Sequence, residues 1–315
     1  MQSKLLQSHH GRGVDAMELQ YKGKNIYPSV KLKECIYDSR CDLQLSHLRI
    51  VFQDDNHKFD SYGFKLGDKI RVKDGKLDTK TMFINEIHPV NAGYEIVAHP
   101  VKKEAMNESD TKKWKSVKFK KIMGEIAKKH GMTAQYFGAS NNKYKEIEQD
   151  NEKDIMFATR LAILEGCVIV IFDGKMVVAS NKYLAKQGGS EQFEIDDYDV
   201  SIKTGQQFKK CIVQGEDKTG KYTSQRGSGT LTFKIEISSK AEGNRFAENL
   251  LEHNNKDAHT GCVVTDEMMD GYSGGTVVTI KSTDHPSASG DALIYRARHD
   301  LMNGKSKLWF RCLEG

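Results

Sequence analysis

The sequence predicts an α+β protein, mainly β, in which two β-rich segments flank a small α+β module. Three observations carry this. Residues 231–238 alternate strictly, with Leu231, Phe233, Ile235 and Ile237 on one face and Thr232, Lys234, Glu236 and Ser238 on the other, the period of a half-buried strand. Asp74-Gly75 and Asp173-Gly174 each stand between strand-like runs, a strong hairpin signal because such turns need positive φ. Between these hairpins two segments carry apolar residues at helical spacing: Phe119, Ile122, Met123 and Ile126, then Ile155, Ala158, Leu161 and Ala162.

Taken in order, the first hundred residues read as short strands. DLQLSHLRIVFQ supplies Leu43, Leu45, Leu48, Ile50 and Phe52, IRVK leads into the Asp74-Gly75 hairpin, and GYEIVAHPV is a strand ended near Pro100. Strands at this spacing predict a small barrel or sandwich. Residues 102–116 are polar and read as a connection. Ser116 is the expected N-cap of the first helix and Gly131 its close, with Lys128, Lys129 and His130 in the last turn, where the helix dipole favours positive charge. A second helix is expected from near Asp150–Asn151 to Gly166, followed by the hairpin CVIVIF-DG-KMVVAS. From about residue 191 strands return. Ser239-x-x-Glu242 reads as a capping box opening a helix that carries Phe246, Leu250 and Leu251, and strands follow at GCVVT, GGTVVTIKS, DALIYRARHDL and KLWFRCLEG.

Composition narrows the function classes. At 315 residues the chain suits two or three domains; 38% hydrophobic residues fill their cores, and 29% charged residues with a mean hydropathy of -0.60 place it in water. No apolar run approaches the ~20 residues of a membrane-spanning helix. The start, MQSKLLQSHHGRG, lacks an apolar core of signal-peptide length. A net charge of +5 over such a length does not by itself imply nucleic acid. The six cysteines form no C-x-x-C pair, which argues against a zinc ribbon and for free thiols.

Several motifs invite a chemical reading. Gly271-Tyr272-Ser273-Gly274-Gly275 matches G-x-S-x-G, but that chemistry needs a strand before the serine and a helix after it, whereas DEMMD precedes and the strand-like TVVTIKS follows. A glycine-rich turn opening a strand is the expected structure. Gly215 to Lys221 resembles a phosphate loop but has Tyr222 in place of the magnesium-binding Ser or Thr, so a hairpin tip is expected. The lysines from Lys112 to Lys129, with Trp114 and Phe119 among them, read as the wet face of a helix. Asp196, Asp197 and Asp199 lack the glycine and terminal glutamate of a calcium loop. No catalytic, cofactor-binding or metal-binding residue is assigned, and no enzyme activity or cofactor is expected.

The order of segments carries more information than any one of these motifs. Gly67-Asp68-Lys69-Ile70-Arg71-Val72 matches a GD-x-I-x-V pattern, and Phe83-Ile84-Asn85-Glu86-Ile87 a following F-I-x-E-I. Gln149, Glu152, Asp154, Phe157, Arg160, Leu161, Ala162 and Gly166 fit Q-x-x-E-x-D-x-x-F-x-x-R-L-A-x-x-x-G. LLEHNNK and then RARHDLMNGKSKLWFRCLEG complete the series. In this order, from about Met17 onward, the chain resembles baseplate hub proteins of contractile phage tails and phage-tail-like bacteriocins, the late control protein D family, which is similar to the N-terminal part of type VI secretion spike proteins. It departs from some members at Met268-Met269-Asp270, where a proline-containing turn is common.

The resemblance implies two tail-tube-like β-barrels flanking the α+β module: an N-terminal extension over 1–16, a first barrel over 17–105, the module over 106–190 and a second barrel over 191–315. The Asp74-Gly75 hairpin and the Leu231–Ile237 strand would both lie in barrel walls. It implies a structural, trimeric adaptor joining a sixfold tail tube to a threefold central spike, because three chains with two equivalent barrels each make a ring that suits both symmetries. The implied partners are its own copies in a homotrimer, the tail tube protein, the spike, other baseplate proteins and the tape measure, with no specific nucleic acid and no stable membrane insertion. The implied location is the tail baseplate of a virion or bacteriocin particle assembled in the bacterial cytoplasm. The rival readings are a spike-associated hydrolase using Ser273 and a surface-binding β module.

Overall fold

The computed structural model describes residues 17–313 apart from 43, 55–58, 92 and 190, so the extension expected over 1–16 lies outside the described residues. The chain is mainly β, arranged in several sheets. One sheet draws strands from both ends of the sequence. Its order is Asp199–Thr204, His259–Thr265, Lys305–Cys312, Gly290–Asp300, Lys31–Arg40, His47–Gln53, Gly93–His99, Met82–Val90, Lys69–Asp74, Glu18–Tyr21 and Lys24–Asn25. The join between the two β segments is the antiparallel pairing of Gly290–Asp300 with Lys31–Arg40, with Arg296 opposite Arg40 and Asp300 opposite Ile36. Gly290–Asp300 pairs first with Val277–Lys281 and then, beyond Ile294, with Lys31–Arg40, so a single strand links the two halves.

Each half covers a core of its own. Leu19, Leu48, Ile50, Phe52, Ile70 and Ile84 fill the first, and Phe193, Val263, Ile280, Ile294, Leu308 and Phe310 the second. Burying each such side chain contributes roughly 1.5–3 kcal/mol. The two quoted motifs of the first half meet each other: Gly67 N–H donates to Ile84 O (2.7 Å), and Ile84 N–H donates to Asp68 O (2.9 Å). At the Asp74-Gly75 hairpin Asp74 pairs with Leu77, so the loop residues are Gly75 and Lys76, and the positive φ falls on Gly75 (57°). Asp173 and Gly174 both adopt positive φ, as a two-residue turn between Phe172 and Lys175 requires.

The module holds the helices α1 (Lys103–Asn107), α2 (Phe119–Lys129), α3 (Asp154–Leu164) and α4 (Asn181–Lys186), and α5 (Lys240–Asn255) packs on it. Phe119, Ile122, Met123 and Ile126 of α2 and Ala158, Leu161 and Ala162 of α3 are buried, as their spacing predicts. The connection expected over 102–116 is instead α1 and most of the strand Ser109–Lys118, which forms a two-stranded ribbon with Lys143–Lys153. Its polar composition has a physical reason. Lys113 lies opposite Glu148 and Lys115 opposite Glu146, each pair 3.5 Å apart, while Trp114 and Val117 turn inward. Ser116 therefore belongs to this strand, with φ 50°, and Lys118 is the N-cap of α2. For the same reason α3 starts at Asp154, after the ribbon ends, and not at Asp150–Asn151.

The alternating strand is present but its position differs from the barrel wall expected for it. Thr230–Lys234 pairs with Lys210–Gln214, which also pairs with Thr219–Thr223, in a separate three-stranded sheet. Leu231, Phe233 and Ile235 turn toward the module's core, which also holds Cys211, Val213, Phe246 and Leu251. Two glycines allow this sheet to reach α5: a Cβ on Gly220 would lie 2.0 Å from the backbone of Gly243. Ser239 caps α5 as expected by accepting from Glu242 N–H (3.1 Å), and the Glu242 carboxylate reaches back to Ser238 N–H (2.5 Å). Among the described residues no helix is long and apolar enough to cross a membrane.

Candidate functional site

The sequence motifs that suggested chemistry lie in turns, loops and ribbon contacts. Ser273 sits in a turn before the strand Val277–Lys281, and its hydroxyl faces Thr276 Oγ1 at 3.4 Å. His299, on the strand Gly290–Asp300, is 1% exposed and uses its two ring nitrogens on Tyr272 O and Ser306 Oγ, both at 2.9 Å. Burial pushes its proton affinity down. Gly215 lies at a hairpin tip, closed by its N–H donating to Lys218 O (2.9 Å). Asp196 accepts from Thr283 N–H (2.6 Å) and from the Ser282 hydroxyl, which ties a loop. Lys112 Nζ stands 3.5 Å from the centre of the Trp114 ring, and Lys129 pairs with Asp110 and Asp154. Among the described residues no group of three or more His, Cys, Asp or Glu is placed to hold a metal ion.

What the structure does assemble is the seam between the two β halves. Asp38, fully buried, accepts from Arg296 Nε (2.9 Å) and Nη2 (2.6 Å) and from Arg298 Nε (3.0 Å). Burial alone would raise the Asp38 carboxyl; the hydrogen bonds and charge of Arg296, with Arg298 beside it, outweigh that and hold it below the usual carboxylate range. The group is thus a fixed anion between two cations rather than a proton carrier. Around it the loop 266–276 closes the seam. Gly274 N–H donates to Ser39 Oγ (3.0 Å), and a Cβ at Gly274 would lie 2.6–2.8 Å from the Arg40 backbone. Here the glycine of the hydrolase-like motif serves close backbone approach. Asp270 accepts from Lys76 N–H at the first half's hairpin (2.8 Å), and Leu301 and Met268 pack into the first core. Met268-Met269-Asp270 is therefore part of the joint. The signal for Asp38 was weak in sequence: Arg296 and Arg298, two apart on a strand, share a face, but nothing local names the carboxylate opposite.

A second constellation accounts for the Gln149 to Gly166 pattern. Gln149 Nε2 donates to Asp154 Oδ1 (2.7 Å), and His130 Nε2 lies 2.8 Å from Asp154 Oδ2. Glu152 receives Arg160 through Nε and Nη2 (2.8–3.2 Å), and the Arg160 guanidinium lies over the Phe157 ring, which stacks on Trp114. Gly166 turns the chain at φ 66° beneath the Asn249 side chain, and Glu165 pairs with Arg245 of α5 (3.1 Å). The pattern builds the ribbon-to-helix corner and the seat of α5.

No protein family and no curated protein sequence matches the chain. Solved structures do. The 43 kDa tail protein of prophage MuSo2 from Shewanella oneidensis is similar with a TM-score of 0.72 at 11% identity, covering 94% of this chain and 98% of that one. The tail protein from Neisseria meningitidis MC58 gives 0.70 at 13% identity, covering 94% and 96%. The E. coli c3393 protein, a type VI secretion component with structural similarity to the T4 tail proteins gp27 and gp5, gives 0.63 at 11% identity, covering 93% and 76%. The chain has the fold of these tail proteins over nearly its whole described length.

Proposed function

We propose that the chain is a structural component of a contractile injection tail: a hub that, as a homotrimer, adapts the sixfold tube to the threefold central spike. The observation that carries this reading is the edge-to-edge joining of two β halves, each with its own core, into one sheet riveted at Asp38, Arg296 and Arg298. Such a joint lets one chain present two docking surfaces at a fixed angle, which a trimer needs to meet a sixfold tube. The fold likeness to two tail proteins and a type VI secretion component supports it.

In this reading the long-sheet strands within 17–105 and 191–315, which form one open sheet among the described residues, stand for two tube-like barrels, and the module at 106–190, with α5 seated on it, stands outside the ring. Tube, spike, other baseplate proteins and tape measure are the partners, in a virion or bacteriocin baseplate. The protein works by geometry and catalyses nothing. Counting subunits in purified tails, by mass or by image reconstruction, tests it. Three copies at the hub position are expected; six equivalent copies would make the chain a tube protein.

A further inference from the structure

A cleft of about 530 Å³ opens where the module meets the long sheet, between α4, the end of α5 and the strand Lys305–Cys312. Its size is that of a small-ligand or side-chain pocket. Leu184, Leu251 and Leu293 give it an apolar wall, and Arg311 and Lys256 line the same space. Arg311 is 5% exposed, and its Nε has no hydrogen-bond partner; its guanidinium lies 4.8 Å from the centre of the Tyr295 ring. Its register opposite Leu293 sets it on the cleft side of the sheet, while the adjacent Phe310 enters the second core.

Lys256 Nζ lies 3.3 Å from His253 Nδ1. Burial first, and the Arg311 charge second, lower its proton affinity to about 8. Burial, with the Lys256 and Arg311 charges, brings His253 down to about 4. Two of the carboxylates around the cluster are otherwise placed: Asp42 is held by Arg40 (2.7 Å) and Asp257 is exposed. Glu252 lines the cleft itself, where burial raises its carboxyl and so favours its neutral form, with Lys182 acting against that. A buried guanidinium without an anion is costly, and a site that keeps one has a use for an incoming negative charge.

We propose that this cleft binds a carboxylate carried on an apolar stem, the aspartate or glutamate of an acidic segment of a partner protein, with Arg311 and Lys256 as its binding groups. Charge complementarity names the carboxylate, and the leucine wall and a volume beyond that of a bare oxyanion name the stem. The proposal rests on this cleft and not on the hub reading. Its test uses the full chain, a capped tripeptide of one glutamate between two leucines, the glutamine counterpart and inorganic phosphate, followed by calorimetry.

Saturable binding of the glutamate peptide is expected, about tenfold or more tighter than the glutamine peptide, because one charge-assisted hydrogen bond is worth at least that factor. Arg311→Gln should weaken it by a similar factor. Lys256→Met provides the same readout if the first variant does not fold. Absence of saturable binding, equal binding of the glutamine peptide, phosphate binding as tightly as the glutamate peptide, or unchanged binding by a folded variant would each overturn the proposal.

Discussion

Replacing Asp38 by Asn should loosen the seam between the two β halves. The substitution keeps the shape and removes the charge, leaving Arg296 and Arg298 facing a neutral amide. Loss of one partner from a buried ion pair costs about 3–5 kcal/mol. The side chains of Arg296 and Arg298 are 21% and 42% exposed, against 0% for Asp38, so water recovers part of the loss. The expected destabilisation is therefore near the low end, about 3 kcal/mol, of which Arg298 accounts for no more than about 1.

Trp309 is a local reporter, since the Arg296 guanidinium lies 4.2 Å from the centre of its ring. Trp114→Phe removes the chain's second tryptophan and leaves a single emission signal at the joint. Urea unfolding read at Trp309 then measures the seam even where the module unfolds separately. Arg296→Met in the Asp38→Asn background should restore part of the loss, as charge pairs replaced together cost less than one partner removed alone. The sign of the pH dependence follows from the depressed Asp38 carboxyl. Its contribution is fully present above the ordinary aspartate range and is lost as pH falls through the folded-state value, so wild type should lose seam stability in acid and Asp38→Asn should flatten that limb. A loss below about 1 kcal/mol, or strict additivity in the double variant, would refute the rivet.

Gly274→Ala should cost about 1–3 kcal/mol by pressing a Cβ onto the Arg40 backbone, whereas Gly271→Ala, which meets nothing within 4 Å, should stay within about 0.5; paired urea curves check both. Native alkylation followed by peptide mapping should modify Cys262 and Cys312 well before the buried Cys35, Cys41, Cys167 and Cys211, since burial pushes the thiols of Cys41 and Cys167 up to about 11 and about 12. A fluorophosphonate probe should leave Ser273 unlabelled, and Ser273→Ala should change stability by less than about 0.5 kcal/mol; selective labelling there would revive the hydrolase reading.

Much of the local structure was legible from the chain alone. The stripes of α2 and α3, the Ser239 cap, the Asp173-Gly174 turn and the alternation at Leu231–Ile237 each follow from the neighbours of a residue in sequence. The ribbon strand Ser109–Lys118 was hidden because its lysines are answered by glutamates on another strand, so its composition reads as a loop until the partner is known. What only the tertiary structure decided is which surface covers which. Periodicity reports that Leu231, Phe233 and Ile235 share a buried face, yet says nothing of whether a barrel or the module's core receives it. Asp38 meets an arginine 258 residues away, and Arg311 faces a cleft made by two helices and a distant sheet. Sequence patterns record the period of an element's own backbone; register between strands and the balance of buried charge are set by long-range packing, which carries no local period to read.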